Sequence, residues 1–165
     1  MGDRTRRPWG KGSLIIREAT TEDVVKFAPT IADEDAAEMR AIAGLDPTDG
    51  FLWAHSESDE SYCAEVIGTG EIAAMWGAKN NGPAAAVWLI CGPPVKACPV
   101  SFTRVVHEEL RRLSDRYGVL YGFADERNHD HLHWLERVGF VFTRTHENFG
   151  PEERTFFEFA GSFKD

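Results

Sequence analysis

The sequence predicts an α/β domain built on a mixed central sheet with helices on both of its faces. Three observations predict it. Ala84 to Cys91 (AAAVWLIC) is an almost unbroken apolar run, as in a strand buried on both sides. Ser101 to Tyr117 carries Phe102, Val105, Val106, Leu110 and Leu113 at spacings of three and four, with charges between them. Strand-like and helix-like segments then alternate to the end of the chain.

Taken in order, Ser13 to Arg17 reads as a short strand. Thr20, followed by Glu22 and Asp23, starts a helix over Thr21 to Phe27, because a hydroxyl caps free N–H groups and acids suit the positive helix end. A second helix spans Ile31 to Gly44, with Met39, Ile42 and Ala43 at helical spacing and Gly44 as its C-cap. Asp46-Pro47-Thr48-Asp49-Gly50 reads as a turn, Phe51 to His55 is undetermined, and Glu57 to Glu60 is an acidic loop. Tyr62 to Ile67 alternates as a half-buried strand does. Gly68 to Gly70 turns the chain into a strand over Glu71 to Ala78, and Asn80-Asn81-Gly82-Pro83 is a hairpin signal leading into Ala84 to Cys91. Gly92-Pro93-Pro94 ends that strand. After the long helix come a strand (Val119 to Ala124), a short amphipathic helix (His129 to Val138) ended by Gly139, and strands over Phe140 to Thr145 and Thr155 to Phe159.

The 165 residues and 42% hydrophobic content fit one domain, residues 13–165, preceded by a flexible basic arm over residues 1–12. Residues 1–17 hold Arg4, Arg6, Arg7, Lys11 and Arg17 against Asp3; the whole chain carries −9. The arm reads as a solvated segment, with docking to an acidic partner as the sharper alternative. The net negative charge argues against nucleic acid and anionic membrane surfaces as partners. No apolar run reaches the roughly 20 residues of a membrane span, and the polar N-terminus is no secretory leader. Cys63, Cys91 and Cys98 lack paired spacing and read as reduced thiols, which points to a cytoplasmic setting. No P-loop, dinucleotide fingerprint or nucleophile elbow is present.

The most informative stretch is Tyr121 to Phe140, YGFADERNHDHLHWLERVGF. It sets a strand, then Asn128, then a short helix ending in Gly139-Phe140. Asn suits a helix start, Gly a left-handed helix end, and Phe the core of the next strand. With the element order around it, this stretch resembles the GNAT family of N-acyltransferases. The resemblance implies a GNAT-like fold and acetyl-CoA as acyl donor. It places the cofactor beside Leu89 and Ile90 of the central strand, whose N–H groups would hold the thioester carbonyl, and beside Ser101, Phe102, Thr103 and Asn128. Two positions depart from the family pattern. The glycine-rich pyrophosphate loop is replaced by Cys98-Pro99-Val100-Ser101-Phe102-Thr103, with Lys96 as the nearby cation. The tyrosine acid that many members carry on the short helix is Leu135, next to Trp134; Tyr121 or Tyr117 would substitute only if the fold brings it close. The run His131-Leu132-His133-Trp134-Leu135 before Gly139-Phe140 resembles a subgroup of GNAT-like proteins of short-tailed phages. That subgroup implies a virion or host protein as partner, with acyl transfer reduced or lost; an active N-acetyltransferase acting on a small amine or protein amine is the alternative.

Other candidates have plainer readings. His129 and His133 share a helical face at a metal-site spacing, but a solvated polar face is the simpler account, and no metal is expected. His131 has the chemistry of a general base and equally that of a packing residue. Glu71 and Glu18 lie on strands flanking the acceptor side, where a carboxylate relays a proton through water or is merely solvated. Trp9 and Trp53 fall outside strong patterns and suit either local packing or a partner surface.

Overall fold

The computed structural model describes residues 8–164; the arginines of the basic arm, Arg4, Arg6 and Arg7, lie outside them. Eight strands form one sheet: β1 (Trp9–Lys11), β2 (Leu14–Glu18), β3 (Glu60–Val66), β4 (Ile72–Asn80), β5 (Ala84–Cys91), β6 (Val119–Asp125), β7 (Val141–Phe149) and β8 (Arg154–Gly161). Their spatial order is β1-β2-β3-β4-β5-β6-β8-β7. Only β5 and β6 are parallel neighbours; every other pair is antiparallel. The helices are α1 (Thr21–Phe27), α2 (Asp33–Ala43), α3 (Pro47–Glu57), α4 (Pro99–Tyr117) and α5 (His129–Val138). The mixed sheet with helices on both faces is therefore present.

Two apolar clusters cover the two faces. On one, Val24 and Phe27 of α1 and Phe51 of α3 pack on Cys63, Met75 and Ile90. On the other, Phe102, Val105, Val106, Leu110 and Leu113 of α4 pack with Leu135 of α5 on Trp76, Ala78 and Ala85. The spacing of three and four that marks α4 in the sequence is the stripe that meets the sheet. A chain of charged bonds fixes α4 in place. Trp76 Nε1 donates to the buried carboxylate of Glu109 at 2.9 Å, Arg112 bridges Glu109 and Glu60, and Arg116 and the Tyr117 hydroxyl both donate to Glu60 at 2.6 Å. Buried charges persist only when paired in this way.

Two local readings change. The sheet begins before residue 13, because Trp9–Lys11 pair with Leu14–Ile16 as a hairpin, so the expected arm boundary at residue 12 falls inside it. Asp46-Pro47-Thr48-Asp49-Gly50 is no turn but the start of α3. Asp46 Oδ1 accepts the Asp49 N–H at 2.9 Å, and Pro47 occupies the first turn, where its missing N–H costs nothing. Gly50 is buried against Met39, which draws α3 onto α2.

Gly77 has a packing role of the same kind. A Cβ there would lie 2.5 Å from Trp88 Nε1. Gly77→Ala is expected to lower stability by about 1–3 kcal/mol, the cost of overpacking, and to shift the indole emission of Trp88. Urea unfolding followed by fluorescence checks both; an unchanged midpoint would contradict the packing.

Candidate active site

β5 and β6 pair only through Ala84–Val119, Ala85–Leu120 and Ala86–Tyr121. β5 then runs on to Cys91 and β6 to Asp125 with no further rung, so the sheet is split from its middle outward. Gly122 stands where the split starts. A Cβ there would lie 2.5 Å from the Phe159 ring and 3.0 Å from the Val87 carbonyl oxygen.

Hydrogen-bond parity shows which backbone groups face the split. The Asn81 N–H donates to Ala84 O and the Gly92 N–H to Ala73 O, bracketing the β4–β5 ladder. Residues of an antiparallel strand alternate in direction. Ala86, Trp88 and Ile90 therefore turn their N–H groups to β4, while Leu89 and Cys91 turn theirs into the split. Of the two residues expected to hold a carbonyl, the structure aims Leu89 there and commits Ile90 to its rung with Met75. The same parity on β6, fixed by the bond from Glu126 N–H to Thr155 O, turns Phe123 and Asp125 toward the split. The Asp125 N–H is met by a side chain, Glu38 Oε1, at 2.7 Å.

A cavity of about 300 Å³ passes through the split. On the α4–α5 side it is walled by Phe102, Val106, Leu110, Trp134 and Leu135. On the other side stand Met39, Ile42, Phe51, Trp53 and Trp88, with Asp35, Glu38 and His131. Trp88 does not plug it. Its indole lies back over Gly77, donates to Ser58 Oγ at 2.9 Å and packs at a tilt on Phe51.

The polar cluster of the cavity joins α2 to α5. Asn128, 3% exposed, donates from Nδ2 to Asp35 Oδ1 at 2.9 Å. His131 Nδ1 lies 3.2 Å from Glu38 Oε2, and its ring meets Phe159 edge-on. Burial pushes the His131 pKa down, but the hydrogen bond and charge of Glu38, aided by Asp35, outweigh it and hold the imidazolium above its ordinary range. Asp35 is also raised, by burial first, against the bond from Asn128 and with the charge of Glu38. The sequence reading found Asn128 and His131 but missed Asp35 and Glu38. Their signal was there: Asp35 and Glu38 lie seven and four residues before Ile42, and Asp35 four before Met39, on the face of α2 that those apolar residues turn inward.

At the start of α4, Pro99 offers no N–H, and the Phe102 N–H is spent on Cys98 O. Val100, 64% exposed, and Ser101 supply the other early N–H groups. The hydroxyls that stand where the family has glycines are engaged within the protein. Ser101 Oγ accepts the Ser13 N–H at 3.2 Å, and Thr103 Oγ1 donates to Pro99 O at 2.8 Å. Lys96 is exposed on the 3-10 turn (Pro93–Ala97) before α4. Phe102 is a cavity wall.

The remaining candidates lie apart from the cavity. Glu71 is exposed in the β3–β4 turn, where its N–H bonds Thr69 Oγ1, and Glu18 is exposed at the end of β2. His129 and His133 are exposed on the outer side of α5, and among the described residues no three His, Cys, Asp or Glu side chains converge on a metal-sized site. The Tyr117 hydroxyl is spent on Glu60 and is raised by burial and that bond. The Tyr121 hydroxyl accepts from Asn81 Nδ2 at 2.6 Å, away from the polar cluster. Burial pushes the Cys91 thiol up to about 12, with the Asp35 charge adding, so it is no nucleophile at neutral pH. Among the described residues no helix is long and apolar enough to cross a membrane.

Solved structures share this architecture. Ard1 from Thermoplasma volcanium aligns with a TM-score of 0.70 over 91% of this chain and 97% of that one, at 15% identity. The chain has the GNAT fold. An acetyltransferase of the GNAT family from Bacillus anthracis aligns with a TM-score of 0.69 over 95% of this chain and 99% of that one, at 13% identity. The ribosomal-protein-S5-alanine acetyltransferase from Vibrio fischeri aligns with a TM-score of 0.68 over 95% and 97%, at 10% identity. No protein-family model and no curated protein matches the sequence. The GNAT architecture is thus carried by the split sheet at identities where sequence alone shows little.

The cluster has a pH signature. Because the folded His131 is raised, its stabilisation is complete below the unfolded imidazole value of about 6.5 and is lost as pH rises through the folded value. Glu38→Gln is expected to move the His131 titration down and to flatten the loss of stability as pH rises through the window above the unfolded value of about 6.5. NMR titration of the imidazole and urea midpoints across that window check it; an unmoved His131 would show that Glu38 does not hold it.

Proposed function

We propose that this chain is an acyl-CoA-dependent N-acyltransferase that uses the split between β5 and β6 as its transfer site. The observation that carries this reading is the Leu89 N–H turned into an apolar cavity three residues beyond the last β5–β6 rung at Ala86. Acetyl-CoA would supply an acyl group already activated as a thioester. Leu89 N–H would hold the thioester oxygen, where a fixed donor in a dry site stabilises developing negative charge. The apolar walls from α4 and α5 would take the pantetheine arm and exclude water. The Val100 and Ser101 N–H groups at the start of α4, with Lys96, would meet the pyrophosphate. This is a thinner anion site than a glycine-rich loop, because Pro99 removes a donor and both hydroxyls are engaged elsewhere.

The proton chemistry falls to His131 and Glu38. Leu135 lines the cavity but has no proton to give. His131 lies one helical turn earlier on the same side of α5 and also faces the cavity. The neutral amine would attack the thioester carbon and the C–S bond would break; His131, as imidazolium, would give its proton to the departing sulfur and then take one from the new amide nitrogen, while Glu38 holds the ring in place. Asn128 would set the position of α2 through Asp35 rather than touch the reacting atoms.

A second reading rests on a specific observation: the engaged hydroxyls at the start of α4, with Pro99 and Leu135, weaken the two places where family members bind phosphate and donate a proton. On this reading the chain is a phage-type relative that keeps the fold to bind a host or virion protein in the cytoplasm, with transfer reduced or lost.

Thiol release from acetyl-CoA with a panel of primary amines separates the two. The first reading expects turnover, and expects His131→Gln to lower kcat by about 100-fold or more while calorimetric affinity for acetyl-CoA stays. Acetyl-CoA that fails to bind at millimolar concentration would overturn it and leave the binding role.

A further inference from the structure

The two halves of the cavity differ in chemistry. The α4–α5 half is apolar apart from Glu109, whose carboxylate is held by Trp76 and Arg112. The other half sets two carboxylates, Asp35 and Glu38, among the aromatic side chains of Trp53, Trp88 and Phe123. Trp53 is 55% exposed and stands at the wall, although a side chain of that size is ordinarily covered. Among the described residues, the cations on the wall are Lys79, paired with Glu57 at 3.0 Å, and His131, which serves Glu38. Asp35 is met by a neutral amide, that of Asn128. Facing groups from the other elements do not change this balance. Asp125 of β6 is tied to Arg127, and Glu158 of β8 lies beside His146. The site is thus short of one positive charge and surrounded by π faces.

We infer that the α2–α3 half of the cavity binds a compact primary amine that enters as a cation, has no carboxylate beside its nitrogen, and carries an aromatic or apolar body. An ammonium group placed between Asp35 and Glu38 supplies the missing charge and relieves the repulsion between the two acids. Trp53, Trp88 and Phe123, which line the same cavity, would cover its apolar part. A carboxylate on the carbon next to the nitrogen would enter as a third anion in a partly dry site and be rejected. The cavity volume limits the body to about one ring, at the small end of ligand pockets. As the identity of an acceptor, the inference rests on the acyl-transfer reading; as a statement of what binds, it stands without it.

2-Phenylethylamine and phenylalanine share a body and an amine and differ by that carboxylate. Titrating the full chain with each, with and without coenzyme A, and following tryptophan fluorescence reads binding directly, because Trp53 and Trp88 line the site. The amine is expected to bind at least about tenfold more tightly than the amino acid. Asp35→Asn, with an unchanged circular dichroism spectrum, is expected to shrink that ratio. Equal affinities, tighter binding of phenylalanine, or no response to either would overturn the inference. Thiol release in parallel samples, with acetyl-CoA in place of coenzyme A, keeps the two readings apart. Selective amine binding without thiol release refutes acyl transfer and leaves this inference standing. Thiol release with phenylalanine as the better acceptor refutes this inference and leaves acyl transfer standing.

Discussion

Everything in this structure turns on one pair of strands that must be neighbours and must also part. β5 and β6 are the only parallel pair, and they pair through three rungs ending at Ala86 and Tyr121. Past that point each strand still points backbone N–H and C=O groups at the other across a space. Buried backbone groups need partners, so such a split is costly unless something fills it. On β6 a side chain does so: Glu38 of α2 takes the Asp125 N–H. On β5 the Leu89 N–H faces an apolar cavity. A donor kept in a dry place is what a carbonyl-bearing ligand would use.

The surrounding elements keep the split open. Trp88, the one large side chain that would close it from β5, is drawn back over Gly77 and tied to Ser58. Gly122 brings β6 against Phe159 and the Val87 carbonyl before the strands diverge. The Trp76–Glu109–Arg112–Glu60 chain fixes α4 on β4 and β3, on one side of the split. On the far side, Asn128–Asp35 and His131–Glu38 tie α5 to α2 across its wide end. The contacts that frame the wide end of the opening also carry titratable groups, Asp35, Glu38 and His131, that line it. Structure and proton chemistry are therefore one cluster.

Much of this was legible in the sequence, for identifiable reasons. The apolar run of β5, the stripe of α4 and the Gly139-Phe140 pair are local patterns that burial and helix ends impose on residue order; Asn128 does stand at the start of α5, but its side chain makes no capping bond and goes to Asp35 instead. What failed to show depends on contacts distant in sequence. Asp46-Pro47 suits a turn and a helix start equally, and only the packing of Gly50 on Met39 makes it a helix. Trp9–Lys11 is too short to announce a strand without its partner, Leu14–Ile16. Asp35 and Glu38 meet their partners, Asn128 and His131, 93 residues further along the chain. Ser101 and Thr103 matched the family's loop by position, yet their hydroxyls are spent on Ser13 and Pro99. Ile90 and Leu89 were inseparable until the β4–β5 register fixed which one faces inward.

In the proposed transferase, the Leu89 N–H is the donor to the acyl-CoA carbonyl. Amide NMR of the labelled chain titrated with acetyl-CoA addresses it residue by residue. The account predicts a large shift of the Leu89 amide, smaller shifts at Val100 and Ser101, and an Ile90 amide held near its free position by its bond to β4. Shifts confined to the surface, or a Leu89 amide that does not move at saturating ligand, would contradict it.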